Sequence, residues 1–260
     1  WEENRKMQRQ WMEESGVKNV RVEIDWEATE YPNREFDWQY LDIIVNGLKA
    51  KDINVQGMLF QHQENPFGSC NPPDETVITA NALSADETYL DAWVRFVDAV
   101  AKRYGDKVDS WIIHNEYHNY PTCNSLRGMT IPQYKTLVIE SSKAIKSVDS
   151  DAIVVYGGFS ANVPSSRLDE LFNGDVLNHV DAFAIHPYLS GNYETPETAP
   201  RYYENYQSFI EDIKTKISIP IWSTEIMYDE LSENGHINEA LRSKYLLRYF
   251  VLVILNFLST

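Results

Sequence analysis

The sequence predicts an α/β protein built as a TIM (β/α)8 barrel, and three observations carry that reading. Extended apolar runs alternate with helical patterns along the whole chain, the pattern of parallel βαβ units. No glycine-rich turn follows the first extended run, which ends at Trp26, where a dinucleotide-binding open sheet would need one. That first run also carries polar residues on one face, as expected of a strand whose far end lines the upper rim of a barrel.

The elements follow in order. Residues 2–15 read as a helix stopped by Gly16. Val20–Trp26 alternates, with Val20, Val22 and Ile24 on one face and Arg21, Glu23 and Asp25 on the other. Phe36–Asp52 reads as helix and leads into the strand Ile53–Leu59. Ser84 and Glu87 have the spacing of a capping box ahead of a long helix. That helix sets Leu90, Trp93, Val94, Val97, Ala101 and Tyr104 in an apolar stripe. The strand Val108–Asn115 comes next, then a helix from Ile131 to Val148. Strands are expected at Ala152–Gly157, Val180–His186 and Ile219–Thr224, with helices between them and a last helix over Ile237–Asn256. Residues 1–260 therefore read as one domain with six strands.

Composition narrows the partners. The 23 Lys and Arg residues face 39 Asp and Glu, a net charge of −16, which argues against a nucleic acid partner because a phosphate backbone needs a basic face. The longest apolar run, Phe250–Leu255, is far short of the roughly 20 residues that span a bilayer, so no membrane is expected. The chain opens on WEENRKMQRQ, which does not read as a signal peptide. An acidic surface suits a neutral substrate and an extracellular setting. Aromatic rings near strand ends offer flat apolar faces with polar edges, as sugars favour.

Two glutamates end apolar runs. WIIHNE closes on Glu116, preceded by Asn115, and PIWSTE closes on Glu225, preceded by Thr224. Two carboxyl groups delivered to one rim are what glycosidic bond cleavage needs: one donates a proton to the leaving oxygen, the other attacks or activates water. A lone glutamate at a strand end is usually a loop carboxylate in water, and it is their matched placement that carries weight. HNEYH, with His114 and His118 around Glu116, superficially suggests metal, but lacks the helical HExxH order. No metal and no cofactor are expected. A serine elbow is absent, and Gly157-Gly158 is too short a signal for a phosphate cradle.

VRVEIDW, WIIHNE, AFAIHPY and PIWSTE, in that order, resemble the retaining glycoside hydrolases of clan A. The likeness is greatest to the β-xylosidase and iduronidase family, family 39, with the cellulase-like family 5 next. The resemblance implies a retaining hydrolase of β-linked oligo- or polysaccharide, with Glu116 as acid/base and Glu225 as nucleophile. It implies that Asn115 binds the sugar 2-hydroxyl, that Arg21 lies beneath the nucleophile, and that His186 and Tyr188 line the cleft. The chemistry agrees, since the nucleophile must be ionised, which a neighbouring guanidinium favours, while the acid must hold its proton. Arg21 pairing internally with Glu23 or Asp25, and His186 as a packed histidine, stay open as plainer readings. Trp26 and Trp222, with Tyr117 and Tyr228, are candidate sugar platforms or packing residues. A carbohydrate-binding domain without turnover is the rival function.

Two expectations concern the chain as a whole. Cys70 and Cys123 follow adjacent strands, so their loops could bring them into a disulfide, which would point to an oxidising, extracellular location. Counted from the carboxylates, the six strands are the second to the seventh of a barrel. Strands one and eight would then be lacking, and the chain would be a portion of a longer protein with two bare strand edges.

Overall fold

The alternation of the first extended run produces β1 (Asn19–Asp25), which buries Val22 and Ile24 and exposes Glu23. The computed structural model describes residues 14, 16–31, 33–61, 87–116, 131–160, 163–187 and 206–225. The chain divides into two compact units, Trp1–Asn115 with Tyr120–Val155, and Glu116–Asn119 with Tyr156–Thr260.

In the first unit β1 leads through the short helix α1 (Trp26–Thr29) and α2 (Gln39–Lys49) to β2 (Asn54–Phe60). Helix α3 (Tyr89–Tyr104), β3 (Val108–Ile113), α4 (Ile131–Val148) and the first residues of β4 (Val154–Ser160) follow. β1 and β2 pair in parallel from Asn19↔Asn54 to Asp25↔Phe60, and β2 pairs with β3 in parallel with a register shift between Val55 and Gln56. Gly57 is where these three strands crowd: an added Cβ would lie 3.1 Å from Val108 and 3.2 Å from Ile24.

The apolar stripe of α3 is real, with Trp93, Phe96, Val97, Val100, Ala101 and Tyr104 all buried. Trp93 also donates its indole N–H to the Ser141 hydroxyl of α4 at 2.8 Å. The cap of α3 differs from the expected Ser84–Glu87 box. Thr88 takes the role, its hydroxyl accepting from the Asp91 N–H at 3.2 Å and donating to the Asp91 carboxylate at 2.7 Å. Glu87 instead takes ion pairs from Arg34 and Arg95, and Ser84 lies outside the described residues. Helix α2 is shorter than the pattern over Phe36–Asp52 suggests, because Phe36 forms an antiparallel bridge with Glu30.

In the second unit the rest of β4 is followed by α5 (Ser165–Phe172), a 3-10 turn at Val176–His179, β5 (Ala182–His186), α6 (Tyr206–Lys216) and β6 (Ile221–Ser223). β5 and β6 pair in parallel from Phe183↔Ile221 to Ile185↔Ser223. Aromatic rings form the core here: Phe159 stacks on Phe183 at 5.1 Å, and Phe172 meets Phe183 edge-on at 4.8 Å. Lys216 of α6 pairs with Asp169 of α5.

Strands follow one another in chain order, β1-β2-β3 in the first unit and β4-β5-β6 in the second. The described residues thus hold six strands of a parallel α/β fold. The helices expected at 2–15 and 237–256 fall almost wholly outside the described residues, and so does the Cys70–Cys123 pair. Among the described residues no helix is long and apolar enough to cross a membrane.

Candidate active site

Glu116 is delivered by irregular backbone and not by a strand. β3 stops at Ile113, and His114 and Glu116 then adopt φ angles of 67° and 44°. Left-handed backbone at such residues costs about 1–3 kcal/mol, so the surrounding structure must hold it. For Glu116 part of that hold is a hydrogen bond from its N–H to the Gly158 carbonyl at 3.0 Å. β4 can offer that carbonyl because Gly157 and Gly158 take φ angles of 89° and 125°. A Cβ on Gly157 would sit 1.9 Å from the Phe159 ring, so glycine is required.

β5 ends on His186, whose side chain is wholly buried. β6 ends on Ser223, and the next residue, Thr224, donates its N–H to the Ile185 carbonyl at 3.2 Å. That bond carries the chain past β5 and brings Glu225 towards His186. His186 Nδ1 lies 2.8 Å from Glu116 Oε1 and 3.5 Å from Glu225 Oε2, while Nε2 lies 3.0 Å from the Thr224 hydroxyl. One oxygen of each carboxyl and the imidazole nitrogen all fall within 4.8 Å of one another. The Glu116 and Glu225 side chains keep 18% and 17% of their surface exposed, enough for a ligand to reach them.

This arrangement sets two carboxyl groups facing a shared gap, with a nitrogen donor between them that offsets their mutual repulsion. It can protonate one atom and attack another a few ångströms away. Two carboxylates and an imidazole nitrogen are also a donor set that a divalent cation could use, though here the same atoms already bond to each other.

The other predicted site residues divide as follows. Trp222, on β6 opposite Ala184, is half-buried, and strand alternation sets it on the same face as Thr224 and His186. Tyr188, Tyr117 and Tyr228 lie outside the described residues. Arg21 and Asn115 belong to the first unit, where Arg21 is half-buried on β1 opposite Gln56 and Asn115 is half-buried after β3. Trp26 is a correction. It is 1% exposed, stacks on Phe96 at 5.7 Å, meets Trp93 edge-on at 5.6 Å and donates to Glu30 at 2.6 Å. It is a core residue and offers no face to a sugar. His114 is also core: its ring stacks on Trp93 at 5.6 Å and meets Tyr134 edge-on, so one of the two histidines of HNEYH is a packing residue.

Sequence reasoning gave no role to Thr224 or to the Gly157-Gly158 pair. Adjacent glycines inside an apolar run were a signal, since a strand interior seldom tolerates two. Nothing in the sequence singled out the threonine.

The family model described as Cellulase (glycosyl hydrolase family 5) matches residues 2–246. No curated protein sequence matches the chain. Among solved structures, a family 39 glycoside hydrolase from the gut symbiont Bacteroides cellulosilyticus WH2 superposes with a TM-score of 0.68 at 16% identity, over 96% of this chain and 50% of its own. A family 1 β-glucosidase from Thermotoga maritima gives 0.64 at 17% identity, over 96% and 73%. An exo-β-1,4-mannosidase from Opitutaceae bacterium strain TAV5 gives 0.65 at 13%, over 94% and 44%. The chain spans about half the length of the family 39 structure. These likenesses give the fold, a TIM barrel, of which six strands lie among the described residues.

Proposed function

The chain belongs to the cellulase family, glycosyl hydrolase family 5, and on that footing we propose that it hydrolyses β-linked oligo- or polysaccharide with retention of configuration. Family 5 was the second of the two families that the sequence resembles. The observation that carries the mechanism is the closeness of the carboxyl groups, with one oxygen from Glu116 and one from Glu225 within 4.8 Å. Retaining pairs stand about 5–5.5 Å apart, whereas inverting pairs leave roughly 6.5–9.5 Å for a water.

In the first step the Glu225 carboxylate attacks the anomeric carbon as the glycosidic C–O bond breaks, and Glu116 gives its proton to the leaving oxygen. A glycosyl ester on Glu225 results. In the second step Glu116, now a carboxylate, takes a proton from water, whose oxygen attacks the same carbon and frees Glu225. Asn115 and Arg21 keep the roles that the resemblance implies, contact with the sugar 2-hydroxyl and support of the nucleophile. Trp222 and Tyr188 remain the candidates for cleft walls.

The match over residues 2–246 supports reading 1–260 as one domain, and the net charge of −16 supports a neutral carbohydrate partner in an extracellular setting. Proton NMR of the first-formed sugar from an aryl β-glycoside tests the proposal. The β-anomer is expected first. The α-anomer first would mean inversion, and binding without any release would favour a carbohydrate-binding domain.

A further inference from the structure

The two-carboxylate mechanism uses Glu116 and Glu225 but gives Thr224 nothing to do. We propose that Thr224 is a positioning residue: its hydroxyl fixes the tautomer of His186, and so fixes which oxygen of Glu116 carries the transferable proton. The proposal rests on the glycosidase reading of this same site.

Glu116 Oε1 and Glu225 Oε2 converge on one nitrogen, His186 Nδ1, at 2.8 and 3.5 Å. The ionised Glu225 only accepts, and so does Glu116 once it has given up its proton, so a nitrogen that serves both carboxyls throughout the cycle bears the hydrogen. A neutral imidazole protonated at Nδ1 presents a lone pair at Nε2, and the group facing Nε2 must then donate. The Thr224 hydroxyl, 3.0 Å away, is able to donate, which a carbonyl or a carboxylate in that place could not. The ring is wholly buried, so bulk water is no substitute.

The hydroxyl is held in place by its own backbone. The Thr224 N–H donates to the carbonyl of Ile185, the residue before His186, and Ile185 pairs with Ser223 in the β5–β6 register. Ring and hydroxyl are therefore fixed relative to one another by the sheet. Among the described residues, the carboxyls of Glu116 and Glu225 face the imidazole.

The consequence reaches the reacting atoms. Thr224 Oγ1–H donates to Nε2, and Nδ1–H donates to Glu116 Oε1, which holds Oε1 as the acceptor oxygen. The acid proton then resides on Oε2 and passes from there to the leaving oxygen. His186 and Thr224 neither gain nor lose a proton over the cycle. When Glu116 becomes a carboxylate, the same Nδ1–H bond is charge-assisted and stronger.

The test compares Thr224→Val, which keeps the shape and removes the hydroxyl, with Thr224→Ser, which keeps the hydroxyl. Activity is read on aryl β-glycosides with good and poor leaving groups, and the His186 tautomer on ¹⁵N-labelled protein, its signal assigned by loss in His186→Asn. Thr224→Val should lose about ten- to a hundredfold in kcat on poor leaving groups, a part of the 10²–10⁴ that general acid catalysis supplies, and little on activated phenols. Thr224→Ser should stay within about threefold of the parent, since the same proton transfer remains in place. The ¹⁵N spectrum should report hydrogen on Nδ1 in the parent and in the serine variant. Equal losses on both substrate types, a serine variant as impaired as the valine one, or hydrogen on Nε2 of the neutral ring would each overturn the proposal. If the parent released no sugar from any glycoside, the glycosidase reading would fail by itself. The tautomer would still be readable, and hydrogen on Nε2 there would overturn this inference separately. A valine variant that does not fold leaves the serine variant and the parent spectrum to decide.

Discussion

Glu116 and His186 stand 70 residues apart in the chain and meet in a 2.8 Å hydrogen bond. Strand geometry delivers only one of them. His186 is the last residue of β5, whereas Glu116 is turned by left-handed backbone and pinned to Gly158.

The role assignment predicts an asymmetry between the two carboxyls. Glu225→Ala should abolish turnover of every substrate. Glu116→Ala should lose about 10²–10⁴ in kcat on substrates with poor leaving groups, the share general acid catalysis supplies, and far less on activated phenols. Steady-state kinetics on a leaving-group series measures both. Equal losses on both classes in Glu116→Ala would undo the assignment.

Gly157→Ala should damage the second unit. At φ 89° an alanine is strained by about 1–3 kcal/mol, and its Cβ would collide with the Phe159 ring, adding overpacking of about 1–3 kcal/mol. Denaturant unfolding should show the loss. Activity of the folded fraction should fall as well, because the bent strand supplies the carbonyl that holds Glu116. A stable, fully active variant would contradict this account of β4.

Trp26→Ala separates packing from sugar binding. A fully buried indole replaced by methyl costs about 3–5 kcal/mol and strands the buried Glu30 carboxylate, which also receives Arg95. Thermal melting should drop steeply, while KM of the surviving folded enzyme stays near that of the parent. A selective rise in KM without loss of stability would restore Trp26 to the cleft.

Asp42 predicts an acid-sensitive clamp between α2 and α3. Its carboxyl is held below the usual range, chiefly by the Arg103 guanidinium and also by the Tyr104 hydroxyl at 2.9 Å. Burial and the neighbouring Asp42 push the Tyr104 phenol upward in turn. A folded-state value below the unfolded one means the stabilisation is fully present above about pH 4 and is lost as pH falls through the depressed value. Asp42→Asn should therefore lower stability at neutral pH and flatten its acid dependence. Urea midpoints taken across pH 2–6 would check this, and parallel curves for parent and variant would contradict it.

How much was legible beforehand depends on the residue. Alternation located β1, continuous apolar runs between helical patterns located the other described strands, and helical spacing located the apolar stripe of α3, because burial on one face or on two imposes those patterns. The two glutamates were legible because they end apolar runs. Trp26 was misread although the signal existed: it continues the alternation of Val20, Val22 and Ile24, so parity assigns it to the apolar face. The turned backbone at His114 and Glu116 was not legible, since it comes from contacts with β4 and β2 that no local pattern encodes. Thr224 was hidden for the same reason, its role being a hydrogen bond to a residue 38 positions away.

Trapping the covalent intermediate identifies the nucleophile itself. A 2-deoxy-2-fluoro β-glycoside with a good leaving group, of whichever sugar the enzyme accepts, forms the glycosyl ester quickly and hydrolyses it slowly. Peptide mapping by mass spectrometry should then find the fluorosugar on Glu225 and no adduct in Glu225→Ala. Label on another residue, or turnover of the unmodified glycoside with no adduct and with inverted product, would contradict a retaining mechanism built on Glu116 and Glu225.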